Sequence, residues 1–368
     1  MKPRLKKHVL PFLLALSISL VFSACPGKST DDNAGALLAL AALGQPTAPV
    51  TTYGGTTSPG DAIEWTIDRQ NLTFQMANLD ATNAVTISGT VEIFPTGFLK
   101  LTVIASSDAL KVPVGGQAYA LEVPGLVLFV HPIGGTSSNH TMALVAKGDC
   151  SISGTYNMVR IGYSASTTAA NMDYAIVALT ESGGTFSVAG NVYDFSDTIT
   201  GGPLTGSGTC DAGKVQVDAN ITGYSSAAGG IALDLGPGQG GIIGFRQAAL
   251  SAGAGTKNFA GIAFTYGGSG TDDATTPITV SCTNFNCTGA PLANVETGEV
   301  AAGQSATVGF TFNNLGLGNG SFSAGSGAVV LKAAAYELGG VTVVYFTGWD
   351  ANANGGLGAP FGALMVSR

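Results

Sequence analysis

Apolar and polar residues alternate with a period of two along most of the chain. The alternation is clearest over residues 63–68, 72–76, 85–93, 99–103, 215–222 and 307–312. Successive side chains of a strand face opposite sides of a sheet, so each segment has one dry face and one wet face. The pattern therefore predicts an all-β fold of antiparallel sheets over apolar cores.

Two further segments are apolar on both faces, Gly125–Val130 and Val341–Phe346. They predict central strands that are covered on both sides. Pairs of glycines separate many of the strand-like segments, and glycine favours tight turns. Many short strands joined in this way predict sandwich or barrel-like sheets, and no helix is expected beyond residue 45.

The best candidate linker inside the β region is the Gly/Ala-rich stretch 248–257. It predicts one β domain over residues 61–247 and a second over 248–368, both of ordinary domain size. A single continuous β structure is the alternative.

The N-terminal residues have the pattern of a secretory signal. Residues 1–8 carry four Lys or Arg and no acid, and residues 9–24 are apolar and end in small residues before Cys25. We therefore predict a signal peptide over 1–24. Val21–Cys25 resembles a bacterial lipobox, with Phe22 at the position where the usual pattern has leucine. Looser versions of this kind are typical of spirochaete-type bacterial lipoproteins.

That resemblance implies that the signal is cut before Cys25 and that the Cys25 thiol carries the lipid. Two or more acyl chains hold a protein stably on a bilayer, so the membrane would be a partner through this lipid. The resemblance also favours the outer membrane, with the chain facing the periplasm or the cell surface. Residues 25–60 then form a flexible leader and linker, with a short apolar helix expected over 34–44.

Composition narrows the function classes. Only 10% of the residues are charged, 54 are glycine and the formal net charge is -8. Nucleic-acid binding needs clustered Lys and Arg, so no nucleic-acid partner is expected. A helical bundle is disfavoured because glycine is costly inside helices. A disordered acidic chain is disfavoured because this chain is too apolar.

Four cysteines follow Cys25, and an even number in an exported chain predicts disulfides. Three pairings are possible. We prefer Cys150–Cys210 and Cys282–Cys287, because each pair then lies within one predicted domain. A zinc site is disfavoured, since four residues separate Cys282 from Cys287.

One segment has the spacing of a calcium loop. Asp350, Asn352 and Asn354 alternate before Gly355, and alternating oxygens can converge on one ion. The twelfth position, a Glu in complete loops, is Phe361. An Asn/Gly-rich hairpin turn is the alternative interpretation. No other cofactor is expected.

The chain lacks the usual catalytic signatures, including Gly-x-Ser-x-Gly and His-Glu-x-x-His. We therefore expect a binding or structural module rather than an enzyme, displayed by a lipid-anchored lipoprotein. The lipoprotein resemblance implies a host or envelope protein as its ligand. Two alternatives stay open: a lipocalin-like carrier of an apolar ligand inside a barrel, and an integral outer-membrane β-barrel.

Overall fold

The computed structural model describes residues 49–133, 140–163, 167–218, 221–251, 256–266, 272–323, 328–351 and 358–368. Over these ranges the chain forms twenty-five β-strands and one turn of 3-10 helix, Ala169–Asn171. Every strand pairing is antiparallel, which confirms the predicted fold class. The predicted signal peptide, Cys25 and the predicted helix over 34–44 lie outside the described residues.

The first eight strands form a closed barrel, hereafter barrel 1. Each strand pairs with the next along the chain, and β1 closes the ring by pairing with β8, with Tyr53 opposite Ala146. The strands are β1 Val50–Thr57, β2 Ala62–Asp68, β3 Thr73–Asn78, β4 Val85–Ile93, β5 Phe98–Ser106, β6 Gln117–Val123, β7 Val127–Ile133 and β8 Met142–Ala146.

The next eight strands form barrel 2 in the same way, and β16 closes it by pairing with β9, with Ile243 opposite Val159. The strands are β9 Gly154–Arg160, β10 Asp173–Ser182, β11 Thr185–Asp194, β12 Ile199–Asp211, β13 Lys214–Gln216, β14 Thr222–Ser225, β15 Gly230–Asp234 and β16 Gly241–Arg246.

The last nine strands contain a third ring of eight, barrel 3. β17 pairs with both β18 and β25, β18 pairs with β19, and β19 pairs with β21. β20 pairs only with β19 and is not part of the ring. The strands are β17 Thr256–Tyr266, β18 Asp272–Thr283, β19 Asn286–Asn294, β20 Glu299–Val300, β21 Ala306–Phe312, β22 Leu317–Ser323, β23 Ala328–Leu338, β24 Val341–Asp350 and β25 Ala359–Ser367.

The chain forms three sheets, whereas the sequence predicts two β domains. The predicted domain over 61–247 contains two closed sheets, which separate between Ala146 and Gly154. β1 begins at Val50, within the stretch assigned to the linker. Alternation shows where strands are but not which strand closes a ring, so the pattern could not separate barrel 1 from barrel 2.

Each barrel has its own apolar interior. In barrel 1, alternate residues of β2 and β3, such as Trp65 and Phe74, point into the core, while Thr66 and Gln75 lie on the outside. Transmembrane barrels have a polar lumen and an outward apolar band. The interiors of the three barrels are apolar over the described residues, which argues against the integral outer-membrane barrel expected as an alternative.

A fourth apolar cluster lies between the barrels, formed by outward side chains from all three. It explains the two segments that are apolar on both faces. In β7, Leu128 faces the interior of barrel 1 and Phe129 faces the shared cluster; in β24, Val344 faces the interior of barrel 3 and Tyr345 the shared cluster. Both segments are buried on both faces, so the prediction of covered central strands is confirmed.

Close backbone approach joins barrels 1 and 2. The Tyr224 ring of barrel 2 lies over Gly54 of β1, where an added Cβ would come within 2.2 Å of the ring. The Tyr224 hydroxyl donates to Glu64 Oε1 of barrel 1 over 2.7 Å. Glycine at position 54 is therefore needed for the two barrels to pack side by side.

Candidate functional site

A buried polar cluster blocks the end of barrel 1 at which β1 begins. Arg69 and Glu122 form an ion pair there, with side chains only 4% exposed. Arg69 follows β2 and Glu122 lies on β6, so the pair spans the barrel from one wall to the other. A buried ion pair is tolerated only when its remaining polar atoms are also satisfied.

Two residues of β1 complete this closed end. Arg69 donates to the Tyr53 hydroxyl over 3.1 Å and to Thr51 Oγ1 over 2.9 Å, and the Tyr53 hydroxyl donates to Glu122. Burial, together with the neighbouring Glu122 carboxylate, raises the pKa of Tyr53 well above its ordinary value. The polar cluster therefore seals this end of the barrel and leaves the opposite end as the entrance.

A cavity of about 240 Å³ opens at that opposite end. An engineered apolar cavity of about 150 Å³ binds benzene, so this volume is large enough for a small organic molecule. The wall is largely apolar and draws on the barrel strands and on the loop between β5 and β6. Its residues are Trp65, Phe74, Met76, Ile87, Leu101, Val103, Lys111, Val112, Pro113, Gly116, Gln117, Ala118, Val130, Pro132, Ile133 and Met142.

Trp65 and Phe74 form the aromatic part of the wall. Their rings are stacked with centroids 5.2 Å apart, and Trp65 is 2% exposed. Among the described residues, the Trp65 indole N–H has no hydrogen-bond partner. A buried donor without an acceptor costs free energy, so a ligand that brings an acceptor to this wall would gain by accepting from it.

The loop over residues 107–116 forms one side of the entrance. Asp108 Oδ1 accepts from the Leu110 N–H over 3.1 Å, and the Asp108 carbonyl accepts from the Val112 N–H over 3.0 Å. The Lys111 ammonium donates to the carbonyl of Thr82 in the neighbouring β3–β4 turn over 3.1 Å. The entrance is therefore a structured opening with one cation at its edge.

The structure joins the cysteines in the preferred pairing. Cys150 is bonded to Cys210 within barrel 2, and Cys282 is bonded to Cys287 across the β18–β19 hairpin of barrel 3. Neither disulfide belongs to barrel 1, so the cavity is shaped without covalent cross-links between its described residues.

The candidate calcium residues are described only in part. Asp350 is the last residue of β24 and is half-buried opposite Ala359, while Asn352 and Asn354 lie outside the described residues. Within the described ranges, no group of three His, Cys, Asp or Glu side chains is placed to hold a metal ion. Calcium binding stays a prediction.

His131 lies on β7 near the entrance but faces away from the barrel core. It is buried, and Nδ1 lies 2.9 Å from Thr141 Oγ1. Burial, with a smaller contribution from His140, lowers the pKa of His131 to about 3. A histidine that stays neutral at every physiological pH fits a structural role here.

Sequence reasoning did not identify the cavity residues as a group. Each of them reads as an ordinary inward-facing strand residue, and only the closed ring brings β2, β5 and β7 around one space. The one available signal is the loop sequence Ala109–Gly116, which is unusually apolar for a strand connection.

The described part of the chain contains no helix with the length and hydropathy that a membrane crossing requires.

No protein-family model matches this chain, and no curated protein matches its sequence significantly. Among solved structures, intact Ap-TbpB with its N and C lobes is similar over 88% of this chain and 77% of its own, at 10% identity and a TM-score of 0.26. Transferrin binding protein B from serogroup B Neisseria meningitidis is similar over 84% of this chain and 66% of its own, at 8% identity and a TM-score of 0.26.

HpuA from Kingella denitrificans, solved in complex with human haemoglobin, is similar over 88% of this chain and 89% of its own, at 12% identity and a TM-score of 0.23. Similarities at these TM-scores are too weak to indicate what this chain binds.

Proposed function

We propose that this protein is an exported, lipid-anchored binding protein that holds a small apolar ligand inside barrel 1. The observation that carries the proposal is the cavity of about 240 Å³, open at one end and lined by apolar side chains. Ligand sites are typically concave and mostly apolar, with a few polar groups that fix orientation, and the mouths of β-barrels are a common place for them.

The polar groups of the cavity lie mainly at its entrance. Lys111 and Gln117 stand at the edge, and the Arg69–Glu122 pair lies beyond the closed end. A ligand with an apolar body would therefore leave a polar end beside Lys111. A carboxylate end would gain most from this cation.

The anchor and the location come from the N-terminal sequence. Residues 1–25 support export and lipidation of Cys25, and the outer membrane is the destination favoured by the lipoprotein resemblance. The intact mass of the purified protein tests this part: loss of residues 1–24 and a gain from acyl groups are expected. A mass equal to the full unmodified sequence would overturn it.

A host or envelope protein as partner stays a prediction that rests on the same resemblance. The cavity in barrel 1, by contrast, offers a defined space for a small ligand. The carrier function, an alternative in the sequence analysis, is therefore the one that the geometry supports best.

A titration with the neutral fluorophore N-phenyl-1-naphthylamine tests the ligand site. We expect saturable enhancement of its emission, and Ala118→Trp, which fills the cavity, should abolish it. Ala105→Trp is the matched control, because Ala105 lies exposed on the outside of β5. Equal enhancement by both variants would contradict binding in the cavity.

A further inference from the structure

Exposed apolar side chains lie along one side of the entrance of barrel 1. Leu110 is 100% exposed, Val114 60%, Ile104 58% and Leu79 45%. Leu79 follows β3, Ile104 lies near the end of β5, and the other two lie on the loop between β5 and β6. These four residues, hereafter the apolar rim, therefore lie at the end of the barrel where the cavity opens.

The rim is held in place by backbone hydrogen bonds. The Gly115 N–H donates to the Val103 carbonyl over 2.8 Å, which keeps Val114 beside the end of β5. The Asp108 side chain accepts from the Leu110 N–H, which fixes the outward turn that carries Leu110. A cluster of exposed apolar side chains held on an ordered turn is typical of an interaction surface.

The rim is continuous with the cavity. Val112 and Pro113 line the cavity, and they lie in sequence between Leu110 and Val114 on the rim. We propose that the apolar rim docks on a lipid bilayer, so that the entrance opens toward the acyl chains. The proposal rests on the proposed function, and it names the bilayer as the source of the apolar ligand.

Charge and chain length favour a bilayer as the occupant. Residues 109–116 carry a single charged group, the Lys111 ammonium, which donates to the Thr82 carbonyl. Asp108, at the start of the loop, accepts from the N–H groups of Leu110 and Lys111. Residues 109–116 could therefore enter the interface without burying an unpaired acid, and Lys111 would stay near the phosphates as amphipathic cations do.

Twenty-four residues separate Cys25 from Val50, the first residue of β1. Fully extended, a segment of this length reaches about 80 Å. The longest strands of barrel 1 have nine residues and span about 30 Å. A lipid on Cys25 would therefore allow the opposite end of barrel 1, with its rim, to contact the same bilayer.

Tryptophan quenching by brominated lipid tests the docking. The full chain carrying Leu110→Trp is mixed with phosphatidylcholine vesicles whose acyl chains are brominated, and with unbrominated vesicles as the reference. The control is Ile199→Trp. Ile199 is 57% exposed, similar to Val114 and Ile104 of the rim, but it lies on barrel 2. The native protein gives the background from Trp65 and Trp349.

We expect brominated lipid to remove most of the added emission from Leu110→Trp and none from Ile199→Trp. Equal quenching at both positions, or none at position 110, would overturn the proposal. Because this readout does not depend on the cavity, and the fluorophore titration does not depend on a membrane, the two proposals fail separately.

Discussion

The rings of Phe129 and Phe264 meet between barrels 1 and 3, with centroids 5.5 Å apart. The two residues are 135 positions apart in sequence, and each projects outward from its own barrel. The contact shows that the barrels share a packed interface, to which barrel 2 contributes Phe245.

Removal of one of these rings should destabilise the whole molecule. Phe264→Ala leaves a cavity in the shared cluster and should lower the free energy of unfolding by about 3–5 kcal/mol in urea titrations. A double-mutant cycle with Phe129→Ala should give a coupling of about 0.5–1.5 kcal/mol. Phe310 lies inside barrel 3, and Phe310→Ala is the control partner for Phe129→Ala. Strict additivity of the Phe129 and Phe264 substitutions would contradict a shared interface.

The two disulfides should differ in their contribution to stability. Cys150–Cys210 closes a loop of 60 residues and Cys282–Cys287 a loop of 5. By loop-closure entropy, the first contributes about 4 kcal/mol and the second about 2 kcal/mol. Thermal unfolding of the two paired Cys→Ala variants measures the difference. A larger loss from the short hairpin would contradict this account.

Asp234 should make stability depend on pH. It is buried at the end of β15, and burial is the main reason that its pKa is raised to about 6, with Asp61 and Asp80 adding smaller contributions. Because the folded state holds this proton more tightly than the unfolded chain, stability due to Asp234 is full below about pH 4 and is lost as the pH rises through 6.

Asp234→Asn should therefore stabilise the protein at pH 7, by at most about 3 kcal/mol, and have little effect at pH 4. The amide keeps an oxygen that accepts from the Gly236 N–H, which lies 2.9 Å from Asp234 Oδ1. The measurement is urea unfolding at both pH values. Asp211→Asn, at an exposed site on the same barrel, is the control, and an equal effect of both variants would refute the assignment.

Local patterns predicted much of the fold. Alternation along β2 and β4 gave the strands and their inward faces, and the continuous apolar runs at β7 and β24 gave the strands buried on both sides. These are properties of single segments, which the side-chain period records directly.

Properties that depend on ring closure could not be predicted from the sequence. Arg69 and Glu122 are 53 residues apart and meet only because barrel 1 closes, and the cavity exists only inside that ring. The closure of two separate rings within residues 61–247 is a property of the same kind. Long-range strand pairing leaves no trace in the alternation of one strand.

Trp65 reports directly on a ligand inside barrel 1, because it lines the cavity whereas Trp349 lies on β24 of barrel 3. A fatty acid with a brominated chain, bound inside barrel 1, must lie beside Trp65 and quench its emission. Quenching should be saturable in the native protein, vanish in Trp65→Phe and persist in Trp349→Phe. Quenching that does not saturate, or that is lost with Trp349 instead, would contradict a ligand site in barrel 1.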